Sequence, residues 1–160
     1  MPKIVSNTTP IISLLKIESL SILPDLYRKI IIPEEVFNEI ENGKNKPYYT
    51  DLLKLNWIEI MPIKDKKSLS YFLDLDKGEA ETIILANEID ADLVIIDERL
   101  GRFHAKHANL KITGTLGVLL KAKQQGIIDS IKPLLKKLIE NEIWLNDTLV
   151  ERVIKLAGEN

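Results

Sequence analysis

The chain alternates between short apolar runs rich in β-branched residues and stretches in which apolar residues recur at helical spacing. The five apolar runs predict buried strands. They lie at residues 4–5, 30–32, 57–60, 93–96 and 110–112. Pro10 and Pro33 stand where a helix typically begins, and Pro33 opens a helical stretch over residues 34–41. Because the connections are long enough for crossover helices, the pattern predicts an α/β fold with a mostly parallel sheet and helices on both faces.

The last third of the chain is predicted to be helical. A helix over residues 115–125 ends at Gly126, and two more helical patterns cover residues 131–140 and 147–156. No repeat and no linker-like stretch divides the chain, so we expect residues 1–160 to form one three-layer α/β/α domain. Much of the apolar surface of these last helices is needed for the core, and the remainder is available to a partner helix or to a second copy of the chain.

Composition narrows the chemistry. Lys and Arg number 22 against 24 Asp and Glu, so the molecule carries no general basic field and any nucleic-acid contact has to be local. The absence of cysteine excludes disulfides, thiolate zinc sites and cysteine nucleophiles. No apolar run approaches the roughly 20 residues of a membrane helix, and the first residues lack the layout of a signal peptide. We therefore expect a cytoplasmic protein with no membrane partner.

Two predicted strands are followed at once by polar side chains that can bind metal. Asn7 follows the first strand, and Asp97 follows the fourth. Ligands of an open parallel sheet bind beyond the carboxyl ends of its strands, which makes both residues candidates for a site. Each also has a plainer interpretation as a turn or helix-capping residue whose side chain bonds nearby backbone.

Helical geometry adds two glutamates. Glu79, Ile83 and Ala86 fall on one stripe of a helix, which places the Glu79 carboxylate on the core side, where a cation or a buried hydrogen-bond network has to compensate its charge. Glu81 lies about 160° from Glu79, so we assign it to the solvated face. In the helix over residues 34–41, Glu39 lies at the edge of the apolar face, a position that suits either a site residue or an ordinary solvated glutamate.

One amide and three carboxylates thus converge from separate segments on one side of the sheet. Hard oxygen donors of this kind suit Mg²⁺ or Mn²⁺. Such an ion lowers the pKa of a bound water and neutralises charge on a phosphate, which is the usual basis of metal-assisted phosphodiester hydrolysis. The predicted catalytic and metal-binding residues are Asn7, Glu39, Glu79 and Asp97.

At these residues the sequence resembles the small prokaryotic PIN-domain proteins, in particular the branch that begins with SNTxP. The segments that carry the resemblance are VSNTTPII, IIIPEEVFNEI, LDKGEAETIILANEIDADLVIIDERLGR and ITGTLGVLLKAK. The resemblance implies a PIN-like α/β/α fold and an Mg²⁺- or Mn²⁺-dependent ribonuclease, the toxin of a toxin-antitoxin pair. It also implies RNA, a small antitoxin protein and a second copy of the chain as partners. By position, the acidic residues of the family fall on Asn7, Glu39, Glu79 and Asp97.

Asn7 departs from the family pattern, because active PIN nucleases generally have aspartate at this position. An amide oxygen still ligates Mg²⁺, but a site with one negative charge fewer binds metal more weakly. Three interpretations remain open. The protein is a nuclease that tolerates asparagine, a degenerate PIN-like domain that binds RNA or an antitoxin without cleavage, or a nuclease completed by a residue of another subunit.

A local cationic cluster follows Asp97 and predicts contacts with RNA phosphates, with Arg99, Arg102 and Lys106 as the candidates. The alternative is a solvated helix face. His104 and His107 share a helix face at a spacing of three, but two histidines with no third ligand make a poor zinc site.

Thr113 and Thr115 flank a glycine at the start of a helix. Either the backbone N–H groups there bind an RNA phosphate, or the segment is an ordinary helix cap. No nucleotide-binding glycine motif is present. A phosphoacceptor receiver domain is the second candidate fold, but it requires an acidic pair after an early strand, where this chain has Asn7.

Overall fold

The computed structural model describes residues 1–160 and contains one sheet of five strands, all parallel, in the order β3-β2-β1-β4-β5. The strands are β1 (Ile4–Ser6), β2 (Ile30–Pro33), β3 (Ile58–Met61), β4 (Leu93–Ile95) and β5 (Ile112–Thr113). The prediction of an α/β fold with a parallel central sheet is confirmed, and no antiparallel pair is present.

Eight helices cover the sheet. They are α1 (Thr8–Lys16), α2 (Ile22–Tyr27), α3 (Glu34–Glu41), α4 (Lys77–Glu88), α5 (Arg99–His107), α6 (Thr115–Gln124), α7 (Lys132–Glu140) and α8 (Asp147–Leu156). Short 3₁₀ turns span Leu52–Lys54 and Lys66–Tyr71. The last three helices confirm the helical C-terminal third.

Alternate residues of each strand enter separate cores on the two faces of the sheet, as the two-residue period of a strand requires. Ile4, Ile30 and Ile95 belong to the larger core, which includes side chains of α1, α2, α3, α6, α7 and α8. Val5 and Val94 point to the opposite face and pack with the apolar residues of α4. Every residue of β2 is buried, which explains why its sequence is a continuous apolar run.

The strand order places one point of the sheet at a change of direction. From β1 the chain moves to one side through β2 and β3, then returns to the other side of β1 through β4 and β5. Strands β1 and β4 are neighbours, with Ser6 opposite Ile95. A crevice opens beyond the carboxyl ends of two strands whose connections leave in opposite directions, and it is the usual ligand position in such sheets. Asn7 and Asp97 lie at this point.

Several element boundaries differ from those that the sequence predicts. Strand β5 begins at Ile112 because the Leu110 N–H donates to the Ala105 carbonyl and so completes the end of α5, with Asn109 at φ 60°. Helix α1 begins at Thr8, so Pro10 is its third residue. Helix α2 was not predicted from the sequence.

No helix of the structure combines the length and the apolar character that a bilayer crossing requires.

Candidate active site

Asn7 lies at the end of β1 and immediately before α1, at the topological switch point. Its backbone N–H donates to the Ile95 carbonyl at 2.9 Å, which ties the end of β1 to β4. Although Asn7 occupies the capping position of α1, its side chain makes no capping hydrogen bond. The side chain is instead buried, with Oδ1 3.5 Å from Oγ1 of Thr82 on α4. The plain capping role is therefore not observed, and the amide faces the space between α1 and α4.

Asp97 follows β4 by two residues and is held by the first residue of α6. Its Oδ1 accepts the Thr115 backbone N–H at 2.7 Å, and its Oδ2 accepts the Thr115 hydroxyl at 2.6 Å. The N-terminus of α6, which we expected to hold an RNA phosphate or a cap, thus holds the carboxylate of Asp97. These bonds fix the orientation of the carboxylate and leave further lone pairs on both of its oxygens.

Gly114 allows Asp97 and Arg102 to approach the start of α6. A Cβ at position 114 would lie 2.6 Å from Oδ1 of Asp97 and 3.1 Å from Nη1 of Arg102. The same guanidinium nitrogen donates to the Ile96 carbonyl at 3.1 Å. Of the predicted phosphate-binding cations, Arg102 is therefore the one that the structure places beside a predicted metal ligand.

Glu79 lies in the first turn of α4 and is 7% exposed, as its stripe with Ile83 and Ala86 predicted. Its backbone N–H donates to the Asp76 side chain, which caps the helix. On the opposite side it meets α5, because a Cβ at Gly101 would lie 2.9 Å from Oε2 of Glu79. The carboxyl group is thus enclosed between two helices at the carboxyl edge of the sheet.

Glu39 reaches the same region from α3. Its Oε2 accepts the Thr8 hydroxyl at 2.8 Å. Its other oxygen, Oε1, lies over the backbone of Gly78, where a Cβ would stand only 1.8 Å away. Burial raises the pKa of Glu39, and the charges of Asp76 and Glu35 raise it further, whereas the bond from Thr8 lowers it.

The acidic character of the site is concentrated on Glu79. Burial is the main cause that raises the pKa of Glu79 to about 8, followed by the hydrogen bond and charge of Asp76 and by the charges of Glu98 and Glu39. None of the ion pairs in the structure includes any of these four residues. The site therefore contains several carboxyl groups with no cationic side chain bound to them, and a neutral Glu79 is the form that this environment favours.

The four predicted ligands lie around the switch point but do not form a finished metal cage. Glu39 and Glu79 are close enough to interact through their charges. Asn7 contacts Thr82, which lies about one helical turn after Glu79. Asp97 is directed at Thr115. No three Asp, Glu or His side chains are arranged so that they could hold a metal ion together. The role of these residues as metal ligands remains a prediction.

The assignment of Glu81 to the solvated face is wrong. Glu81 is 7% exposed, and its Oε1 accepts the Glu35 backbone N–H at 3.2 Å. Helix α4 is covered on both sides, by the sheet and by α3, so its wheel has no solvated face over this turn. The first residues of α3 need acceptors for their N–H groups, and Glu81 supplies one.

The remaining predicted phosphate ligands are placed differently from one another. Arg99 and Lys106 are exposed on α5. Thr113 is half-buried, and its hydroxyl lies against Gly117 of α6, where a Cβ would be 2.2 Å away. Thr115 directs both of its donors to Asp97. The exposed cations are thus better placed for RNA than the two threonines.

The two histidines do not form a pair. His104 lies 2.9 Å from Oδ2 of Asp74, and Nδ1 of His107 lies 2.9 Å from the Phe103 carbonyl oxygen. The two rings are thus directed to different partners.

Sequence reasoning missed Asp76 and Glu98, whose charges both act on Glu79. Asp76 has a local signal, since an acidic residue three positions before Glu79 is typical of a capped helix start. Glu98 accepts the Thr9 hydroxyl at 2.5 Å, a contact between residues 89 positions apart in the chain. No local pattern predicts such a contact.

A separate cavity lies away from this region. It has a volume of about 590 Å³ and is lined by residues near the end of α1 and before β3, among them Lys16, Tyr48 and Trp57. Both segments belong to the amino edge of the sheet, opposite Asn7 and Asp97. This cavity is therefore separate from the acidic residues.

The all-parallel sheet with helices on both faces and acidic residues beyond the ends of its central strands defines an α/β protein with a candidate ligand site at the switch point. A family model, DUF3368, described as a PIN domain, matches residues 3–159, so the chain belongs to the PIN-domain family. No curated protein and no solved structure matched the chain.

Membership of this family implies a nuclease-type fold that typically uses divalent metal. The donor set fits such an ion in chemistry, because Asn7, Glu39, Glu79 and Asp97 all offer oxygen atoms, which Mg²⁺ and Mn²⁺ prefer. A bound cation would favour the charged form of Glu79, which burial and the neighbouring carboxylates disfavour. The residues present therefore fit a divalent metal in donor type.

Proposed function

We propose that this protein is a ribonuclease that hydrolyses RNA phosphodiester bonds with Mg²⁺ or Mn²⁺. The observation that carries the proposal is the group of carboxyl groups at the switch point, with Glu79 buried and none of the group bound by a cationic side chain. Carboxylates kept together without counter-charge lower the stability of a protein unless a cation compensates them. Their retention at the usual ligand position of the fold favours a site that binds one.

The role of each predicted ligand follows from its position and from the contacts that hold its side chain. Glu39 and Asp97 are held by hydroxyl groups of Thr8 and Thr115 and supply oriented carboxylates from opposite sides. Glu79 supplies a third charge from within, and Asn7 supplies a neutral amide oxygen. A bound divalent ion would neutralise charge on the scissile phosphate and activate a water molecule.

Arg102 is the candidate that orients the phosphate. Its guanidinium is anchored to the Ile96 carbonyl and stands next to Asp97 across Gly114. An arginine held in this way offers further N–H groups to a phosphate oxygen without a rearrangement. Arg99 and Lys106 are more distant cations on the same helix that would contact the RNA backbone.

Cleavage of a mixed RNA pool by the purified protein tests the proposal, with Mn²⁺, with Mg²⁺ and with EDTA. We expect cleavage that requires metal and is lost in D97N and E39Q. The matched control is D129N, because Asp129 is exposed and its side chain makes no hydrogen bond or ion pair. Cleavage that persists in EDTA, or that is equal in D97N and D129N, would refute the proposed site.

Asn7 supports a second candidate function, a PIN-like domain that binds RNA or a partner without cleavage. The site has one carboxylate fewer than an active family member, and its ligands are not gathered into a cage. The same assay separates the two functions. Wild-type protein without activity, together with cleavage by N7D, favours the binding domain.

The partners are proposals as well. By family resemblance, the protein is the toxin of a toxin-antitoxin pair, is neutralised by a small antitoxin protein and forms a homodimer. Exposed apolar side chains on and between α7 and α8 support a protein interface there, namely Ile139, Trp144, Leu149 and Leu156. Sedimentation of wild type and W144A tests the dimer, which should weaken in the variant.

A further inference from the structure

A partly exposed aromatic surface lies between α5 and the segment before α4. It consists of residues from the segment before α4 and from α5, namely Tyr71, Phe72, Leu73, Phe103, His104 and His107. Tyr71 and Leu73 are 79% and 86% exposed, and Phe103 is 52% exposed. Large apolar side chains gathered at one place on a surface are typical of a binding site.

The rings of this surface are held in fixed positions. The imidazole of His104 meets Phe72 and Phe103 edge-on, with ring centroids 5.3 and 5.6 Å apart, and is fixed by its contact with Asp74. His107 lies against Phe103 at 4.2 Å between centroids and contacts the Phe103 carbonyl. A ligand that packs on these rings therefore meets a pre-ordered surface and loses little affinity to side-chain ordering.

Both parts of the surface belong to segments that also border the acidic site. Helix α5 starts two residues after Asp97, and its Gly101 lies against Glu79. Phe103 follows Gly101 by two residues, which places it about 3 Å further along the helix axis and roughly 160° around it, on the exposed side of α5. The segment that carries Tyr71 and Leu73 leads directly to Asp76 at the start of α4.

Cations occur on the same face of α5 as the exposed ring. Arg99 lies four residues before Phe103 and Lys106 three residues after it, so the three side chains are neighbours on the helix surface. Both cations are exposed, and neither forms an ion pair. Unpaired cations on either side of an exposed ring match a strand in which phosphates alternate with bases, and they favour nucleic acid over an apolar peptide.

We propose that Phe103, supported by His107, is a base-stacking subsite, and that an unpaired base of the bound strand packs on it while Arg99 and Lys106 contact the flanking phosphates. The inference rests on the proposed function and adds to it the surface that holds the substrate outside the acidic site. An unpaired base is required because the edges and faces of a paired base are hidden within a duplex.

The test is the fluorescence anisotropy of a labelled single-stranded oligonucleotide with 2′-O-methyl groups, measured in EDTA so that the metal plays no part. Removal of one stacking ring typically weakens binding about 5- to 150-fold, and we expect a loss in this range for F103A. F103W keeps a ring and should bind like the wild type. The matched control is L53A, which removes an exposed apolar side chain from the 3₁₀ turn before β3 and should leave binding unchanged.

Three outcomes would overturn the subsite. They are binding by F103A equal to that of L53A, equal losses in F103A and F103W, or a change of oligomeric state in F103A, which would make the surface an interface between copies. Failure of the proposed function is a separate result. If wild-type protein does not cleave RNA but F103A still weakens oligonucleotide binding, the subsite stands and the nuclease does not. If cleavage depends on Asp97 but F103A binds normally, the nuclease stands and the subsite does not.

Discussion

Asn7 and Glu79 are single side chains whose charge state decides how the acidic site behaves. Asn7 is buried at the end of β1 and is neutral, whereas Glu79 is buried in α4 and is surrounded by other carboxyl groups. One residue thus removes a negative charge from the site, and the other keeps a carboxyl group where its charge is disfavoured. Each of them leads to a prediction.

N7D should strengthen metal binding and lower the stability of the metal-free protein. The added carboxylate is buried beside existing acids, so the metal-free variant should unfold at lower temperature than wild type. A divalent ion compensates that charge, and the rise in melting temperature on addition of Mn²⁺ should be larger in N7D, as expected for a tighter ligand of the native state. Thermal unfolding with and without Mn²⁺ measures both effects. N45D, at an exposed asparagine, should show neither of them.

E79Q should stabilise the metal-free protein in a pH-dependent way. The folded pKa of Glu79 is raised from 4.5 to about 8, so the folded state binds the proton more tightly than the unfolded state. The stability that this proton gives is fully present below about pH 4.5 and is lost as the pH rises to 8. Glutamine is neutral throughout, so the variant should gain stability over wild type between these values and keep the advantage above them.

Unfolding temperatures of wild type and E79Q from pH 4.5 to 9 test this, and each 1 kcal/mol corresponds to about 2–4 °C in a chain of this size. Saturating Mn²⁺ should reverse the order at high pH, because the metal prefers the ionised carboxylate. A constant difference at every pH would contradict the raised pKa. E142Q, at an exposed glutamate, is the control.

Helix α4 joins most parts of the site, because its first turn contacts α3, α5 and the segment before it. Gly78 is the point at which Glu39 of α3 meets this turn. The close approach of the carboxylate requires a residue without Cβ, whereas the backbone of Gly78 is ordinary helix. The sequence DKGE thus combines a cap, an opening for Glu39 and a buried acid within four residues.

G78A should displace Glu39 without unfolding the protein. The new Cβ would stand 1.8 Å from Oε1, and because that atom ends a flexible side chain, the carboxylate can move away. Alanine is also the better helix former, by roughly 1 kcal/mol. We expect an unchanged or higher melting temperature together with weaker Mn²⁺ stabilisation and slower cleavage.

G43A is the matched control, since its Cβ would meet the Ile40 carbonyl at 3.4 Å and no site residue. If G78A binds Mn²⁺ like G43A does, Glu39 is not a ligand. If G78A unfolds, the approach of α3 to α4 is more rigid than the contact of a side-chain end implies, and E39Q then provides the test of the ligand.

At the scale of the whole molecule, Glu159 near the end of the chain links α6 to the start of α7. Glu159 accepts hydrogen bonds from the Ser130 hydroxyl and from the backbone N–H groups of Ile131 and Lys132, and it pairs with Lys123 of α6. The carboxylate therefore caps the start of α7 and joins it to α6. These bonds, chiefly the one from Ser130, lower the pKa of Glu159 to about 2.

E159Q should destabilise the protein at neutral pH, and the difference should vanish in acid. Because the folded pKa is depressed from 4.5 to about 2, the stability from this carboxylate is present above pH 4.5 and is lost as the pH falls towards 2. Unfolding temperatures at pH 7 and below pH 3 measure this. E140Q removes a carboxylate from an exposed pair with Lys136 and should have little effect at either pH.

The parts of the fold that were predictable are those with a local cause. The strands were predictable because a strand of a buried parallel sheet is apolar on both faces. Its sequence is therefore a continuous apolar run instead of an alternation of apolar and polar residues. The stripe of Glu79, Ile83 and Ala86 was buried as its spacing required. The exposure of Glu81 was predicted wrongly because a helical wheel assumes one buried face. Helix α4 is covered by the sheet on one side and by α3 on another.

The sequence by itself determined the alternation of strands and helices, the carboxyl-edge positions of Asn7 and Asp97, and the inward direction of Glu79, because each depends on chain order or helical period. Only the tertiary structure decided that Thr115 binds Asp97, that Glu39 crosses Gly78 and that Asp76 and Glu98 act on Glu79. Most of these contacts join segments far apart in the chain. Their distances and charges depend on how the helices pack, which no local pattern of residues encodes.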